Sequence, residues 1–546
     1  MAKRIAGHRG NSTRSVLVGL AISLAGFLYG IDTGIIASTI AHDSFKRYMY
    51  GPSMDNASIE GGIVSGYYAG YAVGSGAAAY TMDRISRRWT LLLACCISII
   101  GAVLQAAAVN PAMMIVGRAL SGTSTGMVYP TAPVYLAELS LAENRGFLVG
   151  LKGLMNTFGF LVAGFIGYAG AFAYGDLQWR IPLATQGPPA VLLAILTAFL
   201  PYSPRWLAQR ERYSDAKKVM YSLHGHRGDD VVKAELTEMC EQIRLEAGSN
   251  KIENFKKLFT RQYIRRTLLA CLIVNMQKLS GSNVLQNYQS ILYASLGYEG
   301  NTVLLIGALY GFSAVIGQII NVFFTADHWT RRKTVISGSY TLAITLAVLT
   351  ALSYFYADGV NPAGSRAAVA FIFLFAFAYS FFFNSSQSFP VLFSPLHPEL
   401  RRIKGFFNRR LEYSTRAWAQ SARARLGWVL VAEIFPLPLR GVGVGFSVFT
   451  QSITAIWLSY AASIAFDNIS WRFYFIFIAA NLFAGTIYML YLPETRFLTL
   501  EEVAAKFGDE VITRADIKAE RAGSPENLNR TERTKATSDH VETLPN

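Results

Sequence analysis

Long apolar runs broken by short polar knots set the pattern of this chain. Runs of about twenty residues lie near 15–38, 61–80, 90–109, 112–136, 147–171 and 181–200. Six more lie near 267–294, 303–325, 333–355, 367–387, 441–466 and 473–492. As a helix, each is long enough to cross a hydrocarbon layer of about 30 Å. Lipid offers backbone groups no water, so such segments must be helical. The pattern predicts twelve membrane-spanning helices, six on either side of a hydrophilic stretch, 201–266. That stretch, with "RYSDAKKVMYSLHGHRGDDVVKAELTEMCEQIRLEAG" at its centre, has helix formers at heptad-like apolar spacing. It predicts a few short amphipathic helices without a core of their own. The expected organisation is an arm 1–14, a bundle 15–200, a linker 201–266, a second bundle 267–492 and a polar tail 493–546.

Composition agrees with a membrane chain. Of 546 residues, 52% are hydrophobic and only 16% charged, against about 25% charged in soluble domains. The net charge of +15 raises the question of a nucleic-acid partner, but its distribution answers otherwise. Lys and Arg gather in the arm (Lys3, Arg4, Arg9, Arg14), around 83–88, in the linker and in the tail. With an even number of spans these stretches all fall on one side, which the positive-inside rule makes cytoplasmic. Four cysteines (Cys95, Cys96, Cys240, Cys271) show no metal-binding spacing. There is no HExxH or phosphate-loop motif. The reading is neither an enzyme nor an ATP-driven pump, with no cofactor, no metal and no nucleic acid.

The two halves echo each other. "DRISRR" from Asp83 matches "DHWTRR" from Asp327, and "AELSLAENRG" from Ala137 matches "AEIFPLPLRG" from Ala432. "WR" at Trp179 matches "WR" at Trp471, and "PYSPRWL" at Pro201 matches "PETRFL" at Pro493. Four matches in one order indicate a six-helix duplication, the layout of transporters whose substrate site lies between the halves near the midplane. The first match is separated by 244 residues but the second and fourth by 295 and 292. About fifty extra residues therefore lie between 333 and 432. The segment 388–427 holds eight Lys or Arg against two Glu and interrupts the tenth span. Removing it rejoins "FFFNSSQ" to "WVLVAEIFP" as one helix, so it reads as a retained intron or gene-model error, with a real extracellular insertion as the alternative.

Two ionisable residues fall inside spans. A helix entering near Val16 carries Asp32 roughly 24 Å across, and one entering from outside near Ala112 carries Arg118 about 9 Å in. They sit at similar depth, and intramembrane charges of this kind usually mark an ion path or a pair.

On these motifs the chain resembles the sugar porter family of the major facilitator superfamily, its fungal members in particular, over nearly its whole length. The family's G-x-x-x-D-R-x-G-R-R pattern is kept at Asp83, Arg84, Arg87 and Arg88, with Ala79 and Ser86 at the two glycines. P-x-Y-x-A-E…R-G is present as Pro133, Tyr135, Ala137, Glu138, Arg145 and Gly146. "NMQKLSGSNVLQNYQS" in span seven is similar to Q-Q-x-S-G-x-N-x-x-x-Y-Y, with Lys278 at the second glutamine and Asn287 at the first tyrosine.

The resemblance implies an all-α fold of twelve helices in two bundles, and a single chain carrying a sugar by alternating access through the plasma membrane. It implies substrate contacts from Gln277, Lys278, Asn283, Tyr288, Asn156 and Trp428. It also implies a cytoplasmic gate built from Asp83, Arg84, Arg87, Arg88, Glu138, Arg145, Asp327, Arg331, Arg332, Glu433 and Arg440. Asp83, Glu138 and Glu433 would pair there with Arg84, Arg88, Arg145, Arg332 and Arg440. In proton-coupled relatives an acid at the Asp32 position, opposed by arginine at the Arg118 position, takes up the proton. An uncoupled carrier and a non-transporting sugar sensor remain the alternatives.

Overall fold

The structure is a computed structural model in which residues 13–52, 56–140, 145–225, 251–321, 331–356, 361–384 and 437–491 are described, with scattered positions between 229 and 243. Among the described residues there are twelve spans and no strand. The first half comprises Thr13–Ala41, Ala57–Arg84, Arg87–Ala106, Pro111–Leu139, Arg145–Gly170, and a sixth span made of Leu177–Ala184 and Gly187–Phe199. In the second half span seven is itself broken, into Ile264–Leu279, Ser282–Asn287 and Gln289–Ser295. Asn301–Ile320, Arg331–Phe355, Pro362–Tyr379, Leu437–Ile469 and Tyr474–Tyr491 complete it. The insertion 388–427 lies outside the described residues.

Several spans begin where the sequence places a cap. The Asn56 side chain accepts from the Ile59 N–H at 3.1 Å and so starts span two a turn before its apolar run. Asn110 does the same for span four, accepting from Met113 N–H at 2.8 Å with Pro111 in the first turn. One helix was not legible as a periodic run. Asp43–Tyr50, between spans one and two, is only eight residues long. It buries Phe45 and Tyr50, with the Phe45 ring 5.5 Å from that of Trp179.

Spans two and four are the most polar, yet they occupy the interior of their bundle, and glycine explains both facts. A β-carbon at Gly70 or Gly74 would collide with the carbonyls of Ala119 or Thr123. One at Gly122 or Gly126 would collide with those of Tyr67 or Tyr71. The two backbones therefore touch, the close approach that small residues allow in membranes. Spans one and five repeat the device through Gly26, Gly30 and Gly159. The apolar core of this half lies between spans one, three, four and six, around Ile22, Leu28, Leu91, Met127 and Tyr135.

Among its described residues the linker holds the short helices Pro204–Gln209, Tyr213–His224 and Lys251–Lys257. Leu223 of the second joins the first half's core. Phe255 of the third stacks edge-on to Phe446 of span eleven. The halves meet at span two against eleven, where Gly61 approaches Tyr460, and at span five against eight, where Gly164 lies on Ala308.

Candidate functional site

A cavity of ≈110 Å³ lies between the halves, room for several waters. From the first half it is lined by Tyr29, Thr33, Tyr68, Tyr71, Tyr129 and Asn156. From the second come Gln277, Lys278, Asn283 and Gln286 of span seven, with Tyr310, Tyr379, Gln451 and Ser452. Of the expected substrate residues, Asn156, Gln277, Lys278 and Asn283 are thus brought together. Hydroxyls and amides on a partly aromatic wall suit a neutral or charged polyhydroxyl solute. The tyrosines were not read from the sequence. They come from spans one, two, four, eight and ten, and no spacing within one span signals that their rings converge.

Span seven positions its part of this wall through a break. Gly281 has φ +92°, a left-handed conformation that glycine adopts freely. The carbonyl of Ser280 freed by the break accepts from Asn481 Nδ2 at 3.1 Å, and the Ser280 hydroxyl donates to the Gln277 carbonyl at 2.8 Å. The short helix beyond turns Asn283 toward the first half. Tyr68 Oη donates to Asn283 Oδ1, and Asn287 Nδ2 donates to Tyr68 Oη at 3.1 Å. One tyrosine hydroxyl therefore ties the two halves.

Tyr288 corrects an expectation. It is not among the side chains that line the cavity. It is fully buried, and its hydroxyl donates to the Ser459 carbonyl at 2.6 Å, fixing span seven to span eleven. Sequence position alone could not distinguish an anchor from a contact one helical turn away. Trp428, the other aromatic expected here, lies outside the described residues.

Asp32 and Arg118 do meet, but not as carboxylate and guanidinium. Arg118 Nη1 donates to the backbone carbonyl of Asp32 at 3.1 Å, and the guanidinium sits 4.5 Å above the Tyr67 ring. Both residues are buried, and among the described residues neither Asp32 carboxylate oxygen has a hydrogen-bond partner. An ionised carboxylate so placed would be costly. Thr33, its neighbour in sequence, lines the cavity.

The charged motifs that flank the spans form a different contact set from the expected one. Arg87 Nη2 binds Glu138 Oε1 at 2.8 Å, with the side chains 6% and 9% exposed. Ser203, from "PYSPRWL", donates to the other oxygen of Glu138 at 2.6 Å. Asp83 lies 3.9 Å from Arg87, one turn away. Among the described residues neither Arg84 nor Arg88 pairs with a carboxylate. Arg84 donates to the Tyr80 hydroxyl at 3.1 Å, and Arg88 to the Ala198 carbonyl at 2.6 Å while covering the Tyr202 ring. Tyr202 thus offers Arg88 a π face in place of a carboxylate. Arg332 donates to the Met489 carbonyl. Asp327 and Glu433, and the side chains of Arg145, Arg331 and Arg440, lie outside the described residues.

The switch of partner follows from the turn that joins spans two and three. Ser86 has φ +87° and ψ 159°, a region that side-chain-bearing residues seldom occupy. Span three starts at Arg87 directly after this bend, which carries Arg87 inward toward Glu138.

Two six-helix bundles around a central polar cavity, with a broken helix in its wall, define a multi-pass membrane transporter. The chain matches the profile of the sugar (and other) transporter family over residues 18–398 and 421–507. It therefore belongs to that family, the sugar porters of the major facilitator superfamily. An MFS-type transporter of Aspergillus cristatus, criB, is 30% identical over 494 residues, covering 90% of this chain and 93% of that one. A high-affinity glucose transporter of Kluyveromyces lactis is 28% identical over 502 residues, 91% of this chain and 85% of its own. Among solved structures, the inward-open xylose transporter XylE of E. coli superposes with a TM-score of 0.70 at 21% identity, over 90% of this chain and 99% of that one.

Proposed function

We propose that this sugar transporter imports a monosaccharide-sized polyhydroxyl solute together with a proton, by alternating access, as a single chain in the plasma membrane with both termini cytoplasmic. The observation that carries the coupling is the Asp32 carboxyl. It is buried and without a hydrogen-bond partner, while the adjacent Arg118 is held by the Asp32 backbone and Tyr67. In this reading the Asp32 carboxyl takes up the proton with the sugar, and releasing it on the cytoplasmic side resets the carrier. Proton and sugar are linked because Asp32 and the cavity-lining Thr33 share one turn of span one. Supporting the importer's orientation, the basic residues cluster in the arm, linker and tail.

The match to the family profile resumes only at 421 after stopping at 398, which supports reading an insertion within 388–427. Its removal is part of the test. Labelled-hexose uptake is measured in a transporter-deficient host at pH 5 and pH 8, with and without 388–427, for the parent and for Asp32→Asn. The expected result is uptake faster at pH 5 that loses its pH dependence in Asp32→Asn. Uptake without pH dependence in the parent would establish an uncoupled carrier, and sugar-dependent signalling without accumulation would establish a sensor.

A further inference from the structure

The central cavity carries positive charge without a matching negative one. Lys278 lines it, half-buried, with its ammonium 5.3 Å from the centroid of the Tyr68 ring. Lys152, buried in span five, places its ammonium 3.9 Å from the centroid of Tyr129, whose side chain also lines the cavity. Tyr129 packs in turn on Tyr29 at 5.0 Å, so one cation is held on each half by a tyrosine face. Among the described residues neither lysine makes an ion pair, and no Asp or Glu lines the cavity. Lys278 is not drawn out to an interface, as a purely structural lysine would be. An intramembrane charge retained inside a substrate cavity, with only rings for partners, points to a function.

We infer that the solute carried is an acid: a monosaccharide-sized polyhydroxyl bearing one carboxylate, with the carboxylate against Lys278. This inference rests on the sugar-carrier reading and narrows its substrate class. Amides of Gln277 and Asn283 and the tyrosine hydroxyls receive the hydroxyl groups, as in a neutral-sugar site. Lys278 supplies the charge-assisted hydrogen bond that a neutral sugar cannot use. Lys152, behind the Tyr129 ring on the other half, adds a second positive charge near the cavity, which favours a single anion over a zwitterion or a cation. The single carboxylate offsets one of the two ammonium charges when the substrate is bound, so the loaded carrier moves less net positive charge than the empty one.

Two matched pairs test this, glucuronate against glucose and galacturonate against galactose, each differing only at the sixth carbon. Uptake of all four labelled solutes is measured in the transporter-deficient host at one pH, for the parent, Lys278→Gln and Lys278→Arg. Binding to the purified proteins is followed in parallel by thermal shift. In at least one pair the acid is expected to bind about tenfold tighter than its neutral partner, the ratio of a charged to a neutral hydrogen bond. Lys278→Gln should bring that ratio near one, and Lys278→Arg should keep it. The melting profile without ligand reports whether either variant folds. Neutral sugars carried as well as or better than both acids would overturn the inference and leave the sugar-carrier reading intact. An acid-to-neutral ratio unchanged in a folded Lys278→Gln would also overturn it. If none of the four is bound or carried, both readings fall.

Discussion

Glu138 is the group whose removal should be felt most at the end of the first half where spans two, three and four meet the linker. Its carboxylate receives Arg87 on one oxygen at 2.8 Å and Ser203 on the other at 2.6 Å. At an effective dielectric constant of about 20, two unit charges 2.8 Å apart attract by about 6 kcal/mol. Much of that is offset by desolvation, because Arg87 and Glu138 are both under a tenth exposed. Deleting one partner removes the attraction and keeps the desolvation of the other, at about 3–5 kcal/mol. Glu138→Ala should therefore lose about 3–5 kcal/mol of stability, and the Arg87→Met, Glu138→Leu double variant much less than the sum of its single changes. Arg87 retains a bond to the Met82 carbonyl at 3.0 Å, which places the Glu138→Ala loss toward the lower end. Equilibrium unfolding in mixed micelles, run as a full double-mutant cycle, reads the coupling directly. A loss below about 1 kcal/mol for Glu138→Ala would mean that the pair behaves like an exposed one. Additive losses would mean that Arg87 and Glu138 do not act as a unit. Either result refutes the reasoning.

Ser86→Gly should raise stability by about 1 kcal/mol or more, because glycine adopts φ +87° without strain; thermal unfolding in detergent checks it, and a fall would show that the Ser86 side chain outweighs its backbone. His42, just outside span one, is buried, and burial pushes its imidazole down to about 4 despite the opposing pull of the Gly167 backbone and Asp43. The unfolded chain binds this proton first as pH falls, so stability should drop between pH 6.5 and 4 by at most about 3 kcal/mol and level off below. His42→Gln should flatten that part of the stability–pH curve.

The spans were legible because a membrane demands continuous apolar runs. Which of three arginines turns inward was not legible. "DRISRR" offers Arg84, Arg87 and Arg88 equally, and only the bend at Ser86 selects Arg87. Tyr288 failed for a related reason. Asn283 and Tyr288 both lie beyond Gly281, but the end of the short helix at Asn287 sends Tyr288 to Ser459 instead of the cavity. Lys152 gave no sign in a run of "GFLVGLKGLMNTFGF", since its partner, the Tyr129 ring, comes from span four. Contacts assembled from several helices are set by packing, which a linear pattern does not contain.

The bond from Tyr68 to Asn283 has a consequence for the pace of the transport cycle. Tyr68 and Asn283 line the central cavity, and they also fasten one half to the other. A solute hydroxyl that captures Asn283 releases the fastener as it takes its own place, so occupancy and loosening are one event. An empty carrier has no such substitute and must break the bond unaided before it can turn around. The return of the unloaded protein is then the slow leg. Exchange of labelled for unlabelled solute across the membrane should outrun net uptake.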